Sequence, residues 1–578
     1  MTSTTAAGVR DVRYEPEEQP PPALALGLGF QFAMLTVAGI VITPAIVVRA
    51  AGGSEDFLTW AAFAALAISG VTTILQAVRV GRIGSGHVLL MGTSAAFIAV
   101  CVTALVEGGP GLLATLVTLS ALFQFGLSTQ LSLLRRVLTP TVCGTVIMLI
   151  PVTLMPIMFG MLGDVPEGSP PAAAPATVFA TLVVTVGVTL RATGVVRLWA
   201  PVIGIISGCL VAAMFGLYNT QLIAEASWIG LPAGGWPGFD LQFGVAFWSL
   251  LPAFVFVTLI GAIETIGDSV AIQRVSRRNP RATDYRVVQG AVTADGVGNL
   301  LSGLAATVPN TTYSSSVSVT DITGVASRTV GVYIGAIFIL LAFLPKFMGL
   351  ILAIPGPVAG AYTIVIMSIL FALGMRVVVE DGVDYRKGLV AGVGFWVGLG
   401  FQNGLIFGDQ LGAWSGLLEN GMTAGGLAAI LMTLFLELSR PRPHRLRTAL
   451  KTDAYPAIDK FLTAFARTRG WSEKMTDRLR AVGEETLLTL IRQDEESGKR
   501  RLQISARSDG RAAELEFVAA TEESNIEDRI ALLGDRVAGQ EAEQEVSLRL
   551  LRHLASSVRH QQYHETDVVT VRVEASAY

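Results

Sequence analysis

A bundle of membrane-spanning α-helices followed by a separate cytoplasmic α+β domain is the fold class that the sequence predicts, and three observations predict it. Hydrophobic residues make up 52% of the 578 and charged residues only 15%, against roughly 25% charged in an ordinary soluble domain. From about Ala23 to Leu438 the apolar residues come in runs near the roughly 20 that carry a helix across a bilayer. The bases between those runs alternate from one connection to the next, and after Ser439 the pattern stops.

About fourteen runs qualify by length: near 23–48, 57–78, 87–105, 111–134, 138–162, 176–195, 200–218, 246–273, 287–306, 312–327, 329–345, 349–374, 388–407 and 422–438. The ninth and tenth are short and polar for ordinary spans. Even-numbered connections carry Arg79 and Arg82, Arg135 and Arg136, Arg191 and Arg197, "RVSRRNPRATDYR", Arg328, and Arg376, Arg386 and Lys387. Odd-numbered ones are nearly free of base, and several are acidic, as in "GGSEDF" and "GDVPEGSPPAAAP". Bases collect in cytoplasmic loops, so an even number of spans with both termini in the cytoplasm is expected. Residues 1–22 are polar and Pro-rich with no apolar core, which predicts a disordered cytoplasmic tail and not a signal peptide. Cys101, Cys143 and Cys209 all fall in apolar runs and read as small hydrophobes.

Two acids break the eighth run: in "LLPAFVFVTLIGAIETIGDSVAIQ", Glu264 and Asp268 lie four apart, on one helix face. Acids in lipid are costly, so they turn toward a bundle interior or a watery cavity and mark sites. The plainer alternative for Asp268 is that it bonds backbone groups of a neighbouring helix and shapes the packing. A second irregular stretch is "GVGNLLSGLAATVPNTTYSSSVSVTDITGVASR", 296–328, in which Pro309 and Asn310 interrupt the apolar run and "TTYSSSVSVT" alternates with period two. That alternation predicts an extended strand. Non-helical backbone at membrane depth is tolerated only where it is buried in protein or lines a cavity. "GRIGSGHVLLMGTSAAFIAV", 81–100, is interrupted in the same way, third in its half as the Ser-rich run is third in the second half. Interrupted segments at matching positions point to a transporter built from inverted repeats, its ligand held near the midplane.

With "GFQF", "MGTSAAFI", "ETIGD", "GNLLSGL", "PNTTYS" and "ITGVASR", the chain from about 23 to 438 resembles the nucleobase–ascorbate transporters (nucleobase:cation symporter family 2), which include xanthine, uric acid and uracil permeases. The resemblance implies two inverted seven-span repeats, a core domain of spans 1–4 and 8–11, a gate domain of spans 5–7 and 12–14, homodimers and an elevator-like motion. It also implies proton-coupled uptake across the cytoplasmic membrane, with sodium the other possible coupling ion. Glu264 matches the family's substrate-binding glutamate, and Asp268 the acid of purine-type members, which favours a xanthine- or urate-like substrate. A carboxylate accepts hydrogen bonds in pairs and suits the N–H donors of such a base. A carboxyl group can also take up a proton and release it as its cavity changes; Glu264 and Asp268 are the candidates for coupling.

The chain departs from the family at the tenth span, where Glu or Gln followed by Asn is replaced by Ser315 and Ser316, and Val317, Ser318 and an extra acid, Asp321, follow. An aromatic that stacks on the base in some members is Ala95 here, and the usual Gln-His of the first span is Gln31-Phe32. Glu264, Ser315, Ser316, Ala95 and Gln31 are thus the expected binding residues. The changed walls keep open a carrier of another small polar or anionic solute. His87, at a span boundary, reads as structural. The glycines of "GVGNLLSG" and "GVGFWVGLG" suit helix interfaces better than phosphate loops. No metal motif occurs, and neither a cofactor nor a nucleic acid is expected.

Beyond a basic juxtamembrane linker, 439–452, whose arginines suit anionic headgroups, residues 453–578 have the length of one small domain. "SEKMTDRLRAVGEETLLTLIRQ" predicts a helix with Ser472 as N-cap and Met475, Leu479, Val482 and Leu490 inward. "RLQISARSDGRAAELEFVAA" predicts a hairpin about Asp509-Gly510. "EVSLRLLRHLASSVRH" has helical period, and "DVVTVRVEA" is a strand with Val569, Val571 and Val573 on one face. The order resembles the ATP-binding fold of histidine kinases and anti-sigma-factor kinases. The family's Glu and Asn, four apart, are replaced by Glu484 with Leu488 or Glu485 with Thr489, and "ATEESNIEDR" stands in place of its glycine loop. A degenerate regulatory domain, open to a cytoplasmic partner protein, is expected rather than an enzyme, with His553, His560 and His564 at its surface. A membrane sensor that signals through this domain is the remaining alternative.

Overall fold

The computed structural model describes residues 12–129, 139–406, 418, 420–439, 443–492, 501–508, 512–519, 550–563 and 567–574, apart from single positions at 219, 233, 280, 381, 383 and 552. They form two compact units, one within residues 12–276 and 288–435, the other within 277–287 and 436–574.

The first unit is helical. Its elements are α1 (Pro22–Ala50), α2 (Glu55–Val78), β1 (Met91–Thr93), α3 (Ile98–Thr129), α4 (Pro140–Leu162), α5 (Ala173–Arg191), α6 (Ala200–Met214), α7 (Val245–Val275), α8 (Tyr285–Leu304), β2 (Asn310–Thr312), α9 (Ser315–Thr323), α10 (Arg328–Ala342), α11 (Pro345–Leu352), α12 (Gly356–Glu380), α13 (Tyr385–Gln402) and α14 (Gly421–Ser439). Among the described residues eight helices are long and apolar enough to cross a membrane, and the pair α10–α11, bent by 87°, makes a ninth. The remaining expected runs are occupied by elements outside that count: Gly109, at φ 70°, and Pro110 break α3 into the third and fourth, and α6, α8, β2 with α9, and α13 lie in the seventh, ninth, tenth and thirteenth. The polar ninth run forms α8 as a full 20-residue helix.

The third and tenth segments each begin as a strand of three residues. β1 and β2 pair antiparallel, Met91 with Thr312, Gly92 with Thr311 and Thr93 with Asn310. They stand seven positions apart in the segment order, as inverted seven-segment repeats require. The packing keeps the same symmetry: the second segment lies on the eleventh, α2 against α10, and the fourth on the ninth, where Gln289 Nε2 donates to the Ser128 carbonyl at 3.2 Å. Where the fifth and twelfth cross, Gly144 and Gly374 face each other; a Cβ on Gly144 would lie 2.6 Å from the Gly374 carbonyl oxygen. Small residues permit this approach between membrane helices.

The strand expected over "TTYSSSVSVT" is shorter than its alternation suggests. β2 ends at Thr312, and from Ser315 the same run is α9. β1 offers three residues of pairing, and beyond them only a helix satisfies the backbone polar groups internally. Residues 12–21, expected as part of a disordered tail, are fixed instead. Arg13 N donates to the Gly324 carbonyl at 2.7 Å and Ala326 N to the Tyr14 carbonyl at 2.8 Å, while Arg328 pairs with Glu17 at 3.3 Å. The free backbone groups after α9 supply the partners, and Val12 adds a buried apolar contact.

The second unit is a five-stranded antiparallel sheet with strands β3 (His444–Ala449), β4 (Arg501–Ser508), β5 (Ala512–Ala519), β6 (Ser557–Gln562) and β7 (Asp567–Glu574), in the order β3-β4-β5-β7-β6. Helices α15 (Tyr455–Thr468) and α16 (Glu473–Arg492) share its core. Met475, Leu479, Val482 and Leu490 point inward as expected and meet Val569, Val571 and Val573; Ser472 Oγ accepts from Met475 N at 3.3 Å. The phenol pKa of Tyr455 is raised by partial burial and by the nearby carboxyl groups of Glu484 and Asp459.

Three expectations change here. The basic stretch 439–452 is not simply a linker, because His444–Ala449 pairs residue by residue with β4 as the sheet's edge. The helical period of 545–560 gives way at Ser557, where β6 pairs with β7; a sheet edge open to pairing outweighs local periodicity. His560, expected at the surface, is 1% exposed, since it stands opposite Val569 on the core side. His553 is exposed. Asp509-Gly510, "ATEESNIEDR" and His564 lie outside the described residues, although Ser508 and Ala513, which flank the dipeptide, are paired. Within this same unit Asp284 forms a parallel bridge to Gln562, and the rings of Tyr285 and Tyr563 lie 5.1 Å apart.

Candidate functional site

The crossing of β1 and β2 creates the site, because two helices must start or end beside it at membrane depth. α7 runs past the crossing and carries both sequence-predicted acids, one helical turn apart. They have different surroundings. Glu264 is half-buried and makes no hydrogen bond to protein among the described residues. Asp268 is buried and fully engaged: its carboxylate oxygens accept from the Thr312 hydroxyl at 2.8 Å and the Ser314 hydroxyl at 2.6 Å. Asp268 therefore ties the end of β2 to the start of α9 through side-chain hydroxyls, and not through the backbone groups that the plainer alternative named.

Sequence reasoning missed a third acid. Asp295, in the middle of α8, is fully buried, and one oxygen accepts from Gln124 Nε2 at 2.7 Å and from the Thr265 hydroxyl at 2.9 Å. Its other oxygen, Oδ1, has no partner among the described residues. Gln124 Oε1 accepts in turn from Asn299 at 2.7 Å, and Asn299 Oδ1 from the Asn310 amide of β2 at 2.6 Å. A relay of side-chain amides thus connects Asp295 to the strand crossing. The signal was in the sequence: "GAVTADGVGN" places an acid inside the ninth run, but the stretch was polar enough to hide it. All three carboxyl groups lie within electrostatic reach of one another, and no Lys or Arg pairs with any of them among the described residues.

The serines divide as the acids do. Ser315 opens α9 with an exposed side chain, while the amides that follow it are engaged: Ser316 N donates to the Tyr313 carbonyl at 2.9 Å and Val317 N to the Ser314 carbonyl at 3.1 Å. Ser316 is buried; its hydroxyl donates to the Tyr313 carbonyl and accepts from Leu90 N at 3.0 Å, tying the third segment to the tenth and leaving nothing for a ligand. Ala95 is half-buried at the first turn after β1. Gln31 is not brought to the site: α1 meets the crossing where Thr93 Oγ1 donates to the Ile40 carbonyl at 3.1 Å, and nine residues of helix put Gln31 about 13 Å away along the axis. His87 is buried with Nδ1 3.0 Å from the Ser85 carbonyl, a structural position.

Two tyrosines complete the wall. The Tyr313 hydroxyl donates to the Thr93 carbonyl at 3.1 Å, and Tyr362 is carried to it by α12. Both hydroxyls converge on Gly39, where an added Cβ would lie 3.3 Å from that of Tyr362 and 3.8 Å from that of Tyr313. Tyr313 was visible within "PNTTYS"; nothing local marked Tyr362. Gly92 lets the Tyr313 ring lie flat across β1, since a Cβ there would fall 2.7 Å from the ring edge and hydroxyl. Gly92→Ala is expected to cost about 1–3 kcal/mol through overpacking, read as a lower unfolding temperature in detergent. Tyr313→Ala should recover most of it in the double variant; additive losses would contradict the contact.

Residues 24–406 match the xanthine/uracil permease model, described as a permease family. The chain is 30% identical to Xanthine permease XanP of Escherichia coli (strain K12) over 449 residues, covering 73% of this chain and 94% of that protein. It is 28% identical to Xanthine permease XanQ of the same organism, over 75% of this chain and 96% of the relative. Nucleobase transporter PlUacP of Paenibacillus larvae is 28% identical, over 72% and 95%. Among solved structures, murine Solute Carrier 26 family member A9, an anion transporter captured inward-facing, superposes with a TM-score of 0.50 at 14% identity, over 76% of this chain and 72% of that one. That likeness concerns the fold alone.

Proposed function

The chain belongs to the xanthine/uracil permease family, and from that membership we propose that it is a secondary active carrier which takes a purine, of the xanthine or urate kind, across the cytoplasmic membrane together with a proton. The observation that carries this reading is the state of Glu264: a carboxylate at membrane depth, half-buried, with no protein partner among the described residues. Its oxygens are available to two adjacent N–H donors, the pattern that a carboxylate accepts best. The exposed Ser315 hydroxyl adds a donor for a carbonyl oxygen of the base. Ala95 leaves room on one side where an aromatic would stack.

Three acids without a base beside them also form a natural proton store. Asp295, through its unpartnered oxygen, holds the proton that accompanies the ligand while Glu264 is the carboxylate that grips the base; Glu264 takes the proton once the base has left, and Asp268 positions the strand and helix. Both termini lie in the cytoplasm, and the carrier works as a homodimer. The C-terminal domain regulates it; in support, segment 277–287, which joins the helix bearing Glu264 to the one bearing Asp295, belongs to that compact unit. A carrier of another small polar or anionic solute is the second reading, favoured by Ser315 and Ala95 where the family has larger groups.

The test is uptake of radiolabelled xanthine, urate, guanine and uracil by cells lacking their own permeases, with and without a proton uncoupler. Uncoupler-sensitive accumulation of a purine supports the proposal; no uptake of, or competition by, any base refutes it. Asp268 gives a graded check. Asp268→Asn can still bond both hydroxyls and should keep transport within about tenfold. Asp268→Ala strands the Thr312 and Ser314 hydroxyls at about 1–3 kcal/mol each and should lose both stability and uptake. Equal loss in the two variants would give Asp268 a direct part in the chemistry.

A further inference from the structure

A cavity of about 520 Å³ lies one helical turn beyond the two tyrosines, toward the end of the bundle where α1 finishes. Ile42 and Ala359 line it, and they stand three residues from Gly39 on α1 and from Tyr362 on α12, which places its floor at the tyrosine pair. Its walls come from α1 on one side and from α4 and α12 on the other, so it sits between the halves that the family resemblance assigns to core and gate. The lining is apolar except for two charged residues, Arg49 and Asp164.

Those two differ in what already occupies them. Asp164 lies against the first turn of α12: a Cβ on Gly356 would be 2.9 Å from its Oδ2, where the helix N-terminus favours an anion. Arg49 gives one N–H to the Leu352 carbonyl at 2.9 Å and is exposed. A guanidinium has five such donors, and no carboxylate is within ion-pairing distance of this one among the described residues. Its place in the sequence is also unusual. In the odd-numbered connections, outer on the orientation proposed above, Arg49 and Lys346 are the only bases, and Lys346 lies 5.2 Å over the Trp228 ring. A base that opposes the charge bias of its side of the membrane, and faces an apolar cavity on the way to the site, has a ligand of opposite charge as its natural counterpart.

We propose that this cavity is a capture site for the anionic form of the substrate: Arg49 holds the monoanion of a weakly acidic planar purine, such as urate, before it passes Tyr313 and Tyr362 to reach Glu264. The apolar walls receive the ring faces, and the guanidinium receives the charge. Charge balances along the path, because an anion that arrives with one proton on the acid cluster crosses without net charge. The inference rests on the proposed function and adds to it both a site and a charge state.

The experiment compares Arg49→Gln and Arg49→Lys with the unaltered carrier for urate, an anion at pH 7.5, and for guanine, which is neutral there. For Arg49→Gln the KM for urate is expected to rise at least about fivefold with kcat unchanged, the signature of lost ground-state binding, while the KM for guanine stays within about twofold. Arg49→Lys should recover part of the loss. The urate KM of the unaltered carrier should climb with ionic strength, and that of Arg49→Gln should not. Ala50→Cys, also on the cavity wall, gives a readout without transport: urate should slow its alkylation by a membrane-impermeant maleimide, and only when Arg49 is present. Equal changes for urate and guanine, or protection that persists in Arg49→Gln, would overturn the capture site and leave the carrier function standing. An unaltered carrier that takes up neither base would overturn both.

Discussion

Glu264→Gln is expected to reach the membrane in normal amount, unfold at nearly the normal temperature and accumulate no purine. The first two outcomes follow from what Glu264 does not do. It makes no hydrogen bond to protein among the described residues and is only half-buried, so the amide replaces the acid without leaving a protein donor stranded. Asp268, one turn on, serves two hydroxyls, which its amide can still bond and an alanine would strand. The third outcome follows from chemistry. Glutamine presents one acceptor and one donor where the base needs two acceptors, and truncating one side of a desolvated charged hydrogen-bonded pair costs about 2–5 kcal/mol, roughly thirtyfold or more in affinity. It also has no proton to release. Binding by purified carrier and uptake by cells should therefore fall together. A Glu264→Gln carrier that still concentrates xanthine against an uncoupler-sensitive gradient would remove Glu264 from the mechanism.

The legibility of this site in the sequence varied with how local its causes were. Glu264 and Asp268 stood out because an acid in a long apolar run is conspicuous whatever surrounds it. Their division of labour did not, since it depends on Thr312 and Ser314, which lie two segments further along the chain. The two short strands were signalled by Pro309 and Asn310 and by the glycines of 81–86, but their length was misjudged: alternation in "TTYSSSVSVT" describes side chains, whereas the length of a strand is set by its partner, and β1 has three residues. Gln31 was carried over with its motif and is removed by helix geometry alone. Asp295 stands on α8 one residue before the glycine-rich stretch that drew attention, Tyr362 lies on a helix that carries none of the motifs, and only the fold brings them to the crossing. In the second unit the core positions of α16 and β7 followed from period, while β3 and β6 did not, because pairing at a sheet edge is a tertiary fact.

Asp295→Asn should separate coupling from binding. The substitution keeps shape: the amide oxygen takes the place of the carboxylate oxygen that accepts from Gln124 and Thr265, and the NH₂ group falls where Oδ1 has no partner. An unsatisfied buried donor costs about 1–3 kcal/mol, which a domain of this size tolerates. Asp295→Leu is the harsher control, since it strips the partners of Gln124 and Thr265 and so loosens the relay through Asn299 to Asn310 of β2; it should fold poorly. What Asparagine cannot do is carry the proton. The expected phenotype is exchange of labelled for unlabelled xanthine within about threefold of normal, the sign of intact binding and movement, with the accumulation ratio fallen to near unity and insensitive to uncoupler. Normal accumulation would place the proton elsewhere in the cluster, on Glu264 alone. Loss of exchange along with accumulation would make Asp295 a strut for the strand crossing, and the relay of amides would then be structural in purpose, holding β2 where Asp268 and Ser316 also hold it.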